Sequence, residues 1–196
     1  TVGFDGRVMS YQEVARLSNK LITDVDLVDE VWSERPSISH EPAFIYDEEY
    51  CGESRASKLA RLRSAMGDCQ HHIITSLDDI VWLFNIRGND VDCNPVVLSY
   101  ALINQDNAIL YVQDNVVDVK TEAILKRDSI IIRAYNDIYE DVKKLTGKVL
   151  LDDQIVNYQI FNNLNCEIKT APNPTQHFKA IKNETEIKAT KNAHIK

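Results

Sequence analysis

Glycine and cysteine are scarce in this chain of 196 residues, with six of the first and four of the second. Scattered glycines leave no Gly-rich loop to cradle a phosphate, and no Gly-x-Ser-x-Gly elbow exposes a nucleophilic serine. Cys51, Cys69, Cys93 and Cys166 form no Cys-x-x-Cys pair, so the usual thiol-redox and zinc frameworks are excluded. Such sparse usage suits reduced thiols in a reducing compartment. Histidine is also thin. None of His40, His71, His72, His177 and His194 stands four residues from another, the spacing that puts two imidazoles on one helix face. No apolar run approaches the roughly 18 residues that span a bilayer, and the start of the chain has no signal-like apolar segment. A cytoplasmic protein without membrane contact is expected. Positive charge is outweighed: 22 Lys and Arg against 30 Asp and Glu leave a net charge of −8, which repels nucleic-acid backbones.

What remains is ordinary globular composition, 44% hydrophobic and 8% aromatic, enough for one sizeable core. Ser10–Lys20 predicts a helix, with Ser10 as N-cap and Glu13 completing a capping box. Ser33–Pro42, with Pro36, Pro42 and three serines, predicts a linker. Ala56, Leu59, Leu62 and Met66 have helical spacing before a stop at Gly67. His71–Thr75 predicts a strand, so His71 and His72 point to opposite faces and do not share an ion. Asp78 is placed to cap a short helix running through Phe84. Val96–Ile103 and Ala108–Val112 predict a hairpin around the polar turn Asn104–Asn107. Val119–Arg127 then predicts a helix, and isoleucine-rich Ser129–Tyr135 a buried strand. Asp137–Leu145 predicts a helix closed by Gly147, followed by strand Lys148–Asp152, helix Ile155–Leu164 and strand Cys166–Thr170. Pro172 and Pro174 break the pattern. The Lys-rich run 179–196, with Glu184 and Glu186 at helical spacing, predicts a solvated helix face. This order gives an α/β fold with a mixed sheet flanked by helices.

The polar segment Asn85–Asp90, set between two apolar stretches, is the strongest candidate for function. Arg87 offers bidentate recognition of a carboxylate. Gly88 permits a turn with positive φ. Asp90 either pairs with Arg87 or caps the loop, and Pro95 fixes the entry to the next strand. Two readings stay open: an internal Arg87–Asp90 brace, or a loop whose Asn85, Arg87 and Asp90 face a peptide end in a neighbouring cleft. Trp82 and Tyr100 are expected in the core. The pairs Glu48-Glu49, Asp78-Asp79 and Asp152-Asp153 lack an adjacent base, nucleophile or cofactor motif, so no residue is expected to be catalytic or to ligate a metal.

The run from Leu77 to Tyr100, with Trp82, Arg87, Gly88, Asp90, Asn94 and Pro95 in their relative places, resembles the three-domain Xaa-Pro aminopeptidases of the creatinase/prolidase family. It is similar to the second of their two N-terminal domains. Val2-Gly3-Phe4-Asp5 with Ser10-Tyr11, then Asp29-Glu30-Val31-Trp32 and Arg35-Pro36, resemble the late part of the first. Lys179-Ala180-Ile181-Lys182-Asn183 with Glu184 and Glu186 resembles the bridge into the catalytic domain, and Ala193–Lys196 falls in that domain's first helix. The resemblance implies an α/β sandwich with a ribonuclease-H-like motif. It divides the chain into a remnant of the first domain (1–40), a linker (41–52), the second domain (53–174), and a linker with the first catalytic-domain helix (175–196). It further implies a parent enzyme that removes an N-terminal residue preceding proline. Two divalent metals, typically manganese, would be held by two Asp, one His and two Glu outside this chain; His194 comes too early to be that histidine. The implied partners are the chain's own C-terminal catalytic domain, a second copy in a homodimer, and peptides with proline at the second position. The implied role is non-catalytic: shaping access to the cleft. The alternative is a stand-alone binding or scaffold domain that keeps the fold without peptidase activity.

Overall fold

The computed structural model describes residues 1–195. Its N-terminal stretch holds β1 (Val2–Gly3), α1 (Tyr11–Ala15), β2 (Leu21–Ile22) and α2 (Leu27–Val31). The central part runs β3 (Phe44–Ile45), α3 (Glu48–Cys51), α4 (Arg55–Ala65), β4 (His71–Ile74), α5 (Leu77–Leu83), β5 (Ile86–Arg87), β6 (Ser99–Asn104), β7 (Ala108–Val112) and α6 (Val119–Arg127). It continues through β8 (Ile130–Ala134), α7 (Ile138–Asp141), β9 (Lys148–Leu151), α8 (Tyr158–Asn163), β10 (Glu167–Thr170), α9 (Pro174–Ala180) and α10 (Glu184–Ile195).

Six strands form one mixed sheet in the order β10-β9-β4-β6-β7-β8. Only β6 runs against its neighbours, paired with β4 through Ile73↔Leu102 and with β7 through Ala101↔Leu110. The other contacts, β10–β9, β9–β4 and β7–β8, are parallel. Alternation along each strand sends side chains to two covered faces. Ile74, Ala101, Ile103, Leu110 and Leu150 pack with Leu59, Leu62, Ile80 and Leu83 on one face. Ile73, Leu102, Tyr111, Val149 and Leu151 pack with Ile138, Val142 and Ile160 on the other. The result is the expected sandwich of a mixed sheet between helices. Trp82 and Tyr100 are buried, as expected.

Several expectations need correcting. Strand β8 is an edge strand, and Ile131 on it is 44% exposed, because β7 flanks it on one side only. The first helix keeps its Ser10–Glu13 capping box but ends at Ala15, since Val14 is the only residue in it that buries. Asp137–Leu145 is a single turn of α-helix between two 3-10 turns. Asp78 does not cap α5: Ser76 holds the N-cap position, and Asp78 and Asp79 sit in the first turn, where the positive end of the helix dipole favours carboxylates. Residues 33–42 contain no helix or strand. The N-terminal stretch leans on α8: Tyr11 N donates to Val156 O at 2.9 Å, and the Tyr11 and Phe161 rings stack with centroids 3.6 Å apart.

Candidate functional site

The loop after α5 starts at a non-glycine residue in the left-handed region, Asn85, with φ 48°. Asparagine tolerates that conformation better than other side-chain-bearing residues, but it still needs support. Lys58 supplies it. From α4 its Nζ donates to Asn85 Oδ1 at 2.7 Å and to Trp82 O at 2.9 Å, and it lies 4.1 Å from the centroid of the Trp82 ring. Asn85 Nδ2 in turn donates to Glu53 O at 2.8 Å. Lys58 is 1% exposed, and burial pulls its ammonium down to about 8. No carboxylate among the described residues pairs with it. The sequence reading missed Lys58, although a lysine four residues before Leu62, on the apolar side of a helix, was a usable signal.

Arg87 lies on β5, which pairs with β3 through Phe44↔Arg87 and Ile45↔Ile86. Its Nη1 donates to Val81 O at 3.0 Å and Ile86 O at 2.7 Å, and the guanidinium carbon sits 4.4 Å from the Tyr46 ring centroid. Burial shifts this guanidinium downward. The anticipated Arg87–Asp90 brace is not formed. Asp90 instead caps its own loop and pins the linker: Oδ2 accepts from Leu98 N at 2.7 Å, while Oδ1 accepts from Ser39 Oγ at 2.6 Å and Glu41 N at 3.0 Å. Strand β6 starts at Ser99, directly after the Leu98 that Asp90 holds, and not at Val96. Gly88 is not in the positive-φ region either; a Cβ there would lie 2.7 Å from Val97 Cγ2, so its glycine serves close approach. Of the three predicted site residues, Asn85 faces inward and Asp90 faces the linker. Arg87 alone presents unpaired charge near the surface.

A second element converges here. Asn183 and Glu186 form a reciprocal capping box for α10: Glu186 N donates to Asn183 Oδ1 at 2.9 Å, and Asn183 N donates to Glu186 Oε2 at 2.9 Å. Asn183 Nδ2 donates to Cys51 O at 2.8 Å, and Trp82 Nε1 donates to Glu186 Oε1 at 3.3 Å. Gly52, at φ 71°, makes room for this: a Cβ on it would lie 2.6 Å from Asn183 Oδ1. The start of the Lys-rich run is therefore docked rather than a freely solvated face. The Asn183-x-x-Glu186 spacing was legible as a cap and went unread.

Among the described residues no group of three or more His, Cys, Asp or Glu is placed to hold a metal ion, so the residues present do not fit a two-metal centre. His71 and His72 do point to opposite faces; His71 Nδ1 meets Asn104 Oδ1 at 2.6 Å. Asp152 accepts from Gln154 N at 3.0 Å, and Asp153 from Gln12 Nε2 of the N-terminal stretch at 2.8 Å. The four cysteines are free. No helix among the described residues is long and apolar enough to cross a membrane.

The fold is a mixed-sheet α/β sandwich that offers a cation, Arg87, beside a docked C-terminal helix. The family model for the Creatinase/Prolidase N-terminal domain matches residues 34–186, and the chain belongs to that family. It is similar to the probable Xaa-Pro aminopeptidase P of Neurospora crassa, 33% identical over 187 residues that cover 87% of this chain and 27% of the relative. The counterpart in Sordaria macrospora is 31% identical over 222 residues, covering all of this chain and 36% of the relative. A solved structure, the X-prolyl aminopeptidase from Caenorhabditis elegans, described as a cytosolic enzyme with a di-nuclear active site, superposes with a TM-score of 0.86 at 28% identity. It covers 98% of this chain and 34% of that one. The chain thus spans about a third of the length of the curated relatives it matches.

Proposed function

We propose that this chain is the non-catalytic N-terminal portion of an Xaa-Pro aminopeptidase, shaping access to the cleft of a catalytic domain that follows α10. In this reading residues 1–40 belong to a first N-terminal domain, 41–52 link it to the second domain at 53–174, and 175–196 lead into the catalytic domain. The parent enzyme is cytoplasmic, hydrolyses the bond before a proline at the second position, and carries two divalent metals, manganese by preference, outside this chain. Its partners are the C-terminal catalytic domain of the same polypeptide and a second copy in a homodimer.

One observation carries the reading. Arg87 is fastened by two backbone carbonyls and a tyrosine ring yet has no carboxylate among the described residues, and α10 is docked on Trp82 of α5, the helix whose Val81 carbonyl Arg87 holds. A rigid, unneutralised guanidinium suits the carboxylate of a peptide or of an adjoining domain. The test is Arg87→Ala in the enzyme that contains this chain. Contact with substrate predicts a fall in kcat/KM for an Xaa-Pro peptide of about tenfold, roughly 1.4 kcal/mol. Unchanged kcat/KM with a lowered Tm would reject the substrate role and leave Arg87 as a brace between α5 and β3.

A further inference from the structure

The six-stranded sheet has two edges, and the sequence treats them differently. At one end β10 carries Glu167 and Lys169, which pair with Lys148 and Asp68 respectively. Charged side chains of this kind keep an edge from accepting another strand. At the other end β8 reads Ile-Ile-Ile-Arg-Ala, with no proline, and its register with β7 is unbroken from Ile130 to Ala134. Its one charged residue, Arg133, does not guard it, because Asp137 at 3.0 Å and Asp141 at 2.6 Å already neutralise the guanidinium.

The ladder itself says which backbone groups of β8 are free. Ala108 N donates to Ser129 O at 3.0 Å, and Ala108 is the partner of Ile130. Along a strand, successive residues turn their N–H and C=O groups to opposite sides. Ser129, Ile131 and Arg133 therefore bond to β7, while Ile130, Ile132 and Ala134 turn outward. The Ala134 oxygen opens the 3-10 turn that follows. No turn or loop bond among the described residues takes up the N–H or C=O of Ile130 or Ile132, or the N–H of Ala134.

We infer that β8 is a docking edge for a second copy of this chain, paired antiparallel with its own β8 about a two-fold axis at Ile132. The inference rests on the reading above in which a second copy binds, and gives that copy its contact. The free groups are self-complementary under this axis. Ile132 exchanges N–H and C=O with Ile132 of the partner subunit, and the Ile130 oxygen accepts from the N–H of the partner subunit's Ala134. On one face Ile131, 44% exposed, is covered by the aliphatic stem of the partner subunit's Arg133. The strand ends match in charge as well. Arg127, just ahead of β8, has no carboxylate partner among the described residues, and antiparallel pairing brings it toward the turn that carries the partner subunit's Asp137. With β10 guarded, the one open edge is used up in a single pairing, so assembly stops at a dimer instead of growing into a filament. A five-residue strand buries little against the roughly 1,200–2,000 Å² of standard interfaces, so the dimer is weak and reversible.

The test is sedimentation velocity of the full chain from low to high micromolar concentration, where a reversible monomer–dimer equilibrium is expected. Ala134→Pro removes an outward N–H and spares the β7 ladder, and Ala134 already has φ −62°, which proline adopts. It should raise the dissociation constant by about tenfold or more while the thermal melt of the monomer stays unchanged. Ile131→Lys sets a cation opposite the partner subunit's Arg133 and should weaken the dimer to a similar degree, which keeps the test decisive where the proline variant fails to fold. A wild-type chain that is monomeric at every concentration overturns the inference, and so does a dimer that these substitutions leave intact. Neither result touches the placement of the chain ahead of a catalytic domain, which Arg87→Ala tests separately.

Discussion

Lys58→Met tests an ammonium buried without a carboxylate partner. The lysine proton is held to about 10.5 in the unfolded chain, but burial brings it to about 8 in the folded one. Between those values the unfolded state binds more protons, so stability rises with pH, by about 3 kcal/mol across the window. Below pH 8 the folded state carries the whole cost of the buried charge. Above the window the neutral amine keeps two N–H groups, one for each of its acceptors, Trp82 O and Asn85 Oδ1. Methionine fills similar volume and has neither proton nor donor. At every pH the variant leaves two buried acceptors bare, at a cost of about 1–3 kcal/mol each. At pH 7 it also escapes the burial of charge, so the two effects partly cancel. The gap between wild type and variant should therefore be small at pH 7 and wider by about 3 kcal/mol near pH 10.5. Urea unfolding followed by far-ultraviolet circular dichroism at several pH values gives the difference directly, since groups common to both proteins cancel. A gap that stays flat from pH 7 to 10.5 would refute the claim that Lys58 is buried unpaired.

Gly88→Ala should destabilise by about 1–3 kcal/mol, because its new methyl would lie 2.7 Å from Val97 Cγ2 and 3.1 Å from Val96 O; an unaltered urea midpoint would show that the loop yields. Asp90→Asn replaces one of two accepting oxygens with a donor, so either Leu98 N or the Ser39–Glu41 pair loses its partner. Limited proteolysis should then cut within residues 33–42 several-fold faster than in wild type, and equal rates would count against Asp90 as the linker's anchor.

The fold was readable because its signals are local and repeated. Capping at Ser10, the hairpin around Asn104–Asn107, and the alternation of apolar runs from Val119 to Thr170 each needed only a short window. The site was less legible because its bonds cross long sequence distances. Asp90 meets Ser39 and Glu41, Lys58 meets Asn85, and Trp82 meets Glu186, each decided by tertiary placement. The proximity of Arg87 and Asp90 in sequence suggested a pair. Strand β5 instead directs the guanidinium at Tyr46 and two carbonyls. The burial expected of the isoleucine-rich strand failed for a related reason: composition does not say whether a strand has one neighbour or two.

Helix α10 is 12 residues long, so it reaches about 18 Å from its first turn at 1.5 Å per residue. Its base is clamped by Asn183 and Glu186 against Cys51 and Trp82. It is a lever with a stiff hinge: a tilt of about 10° at the base carries the tip, Ile195, sideways by about 3 Å, by the same helical rise. An error of that size is large against the roughly 1 Å misplacements that already slow catalysis. The angular precision with which this domain can hold anything beyond Ile195 therefore depends on two hydrogen bonds, one from the Asn183 amide to Cys51 O and one from the Trp82 indole to Glu186.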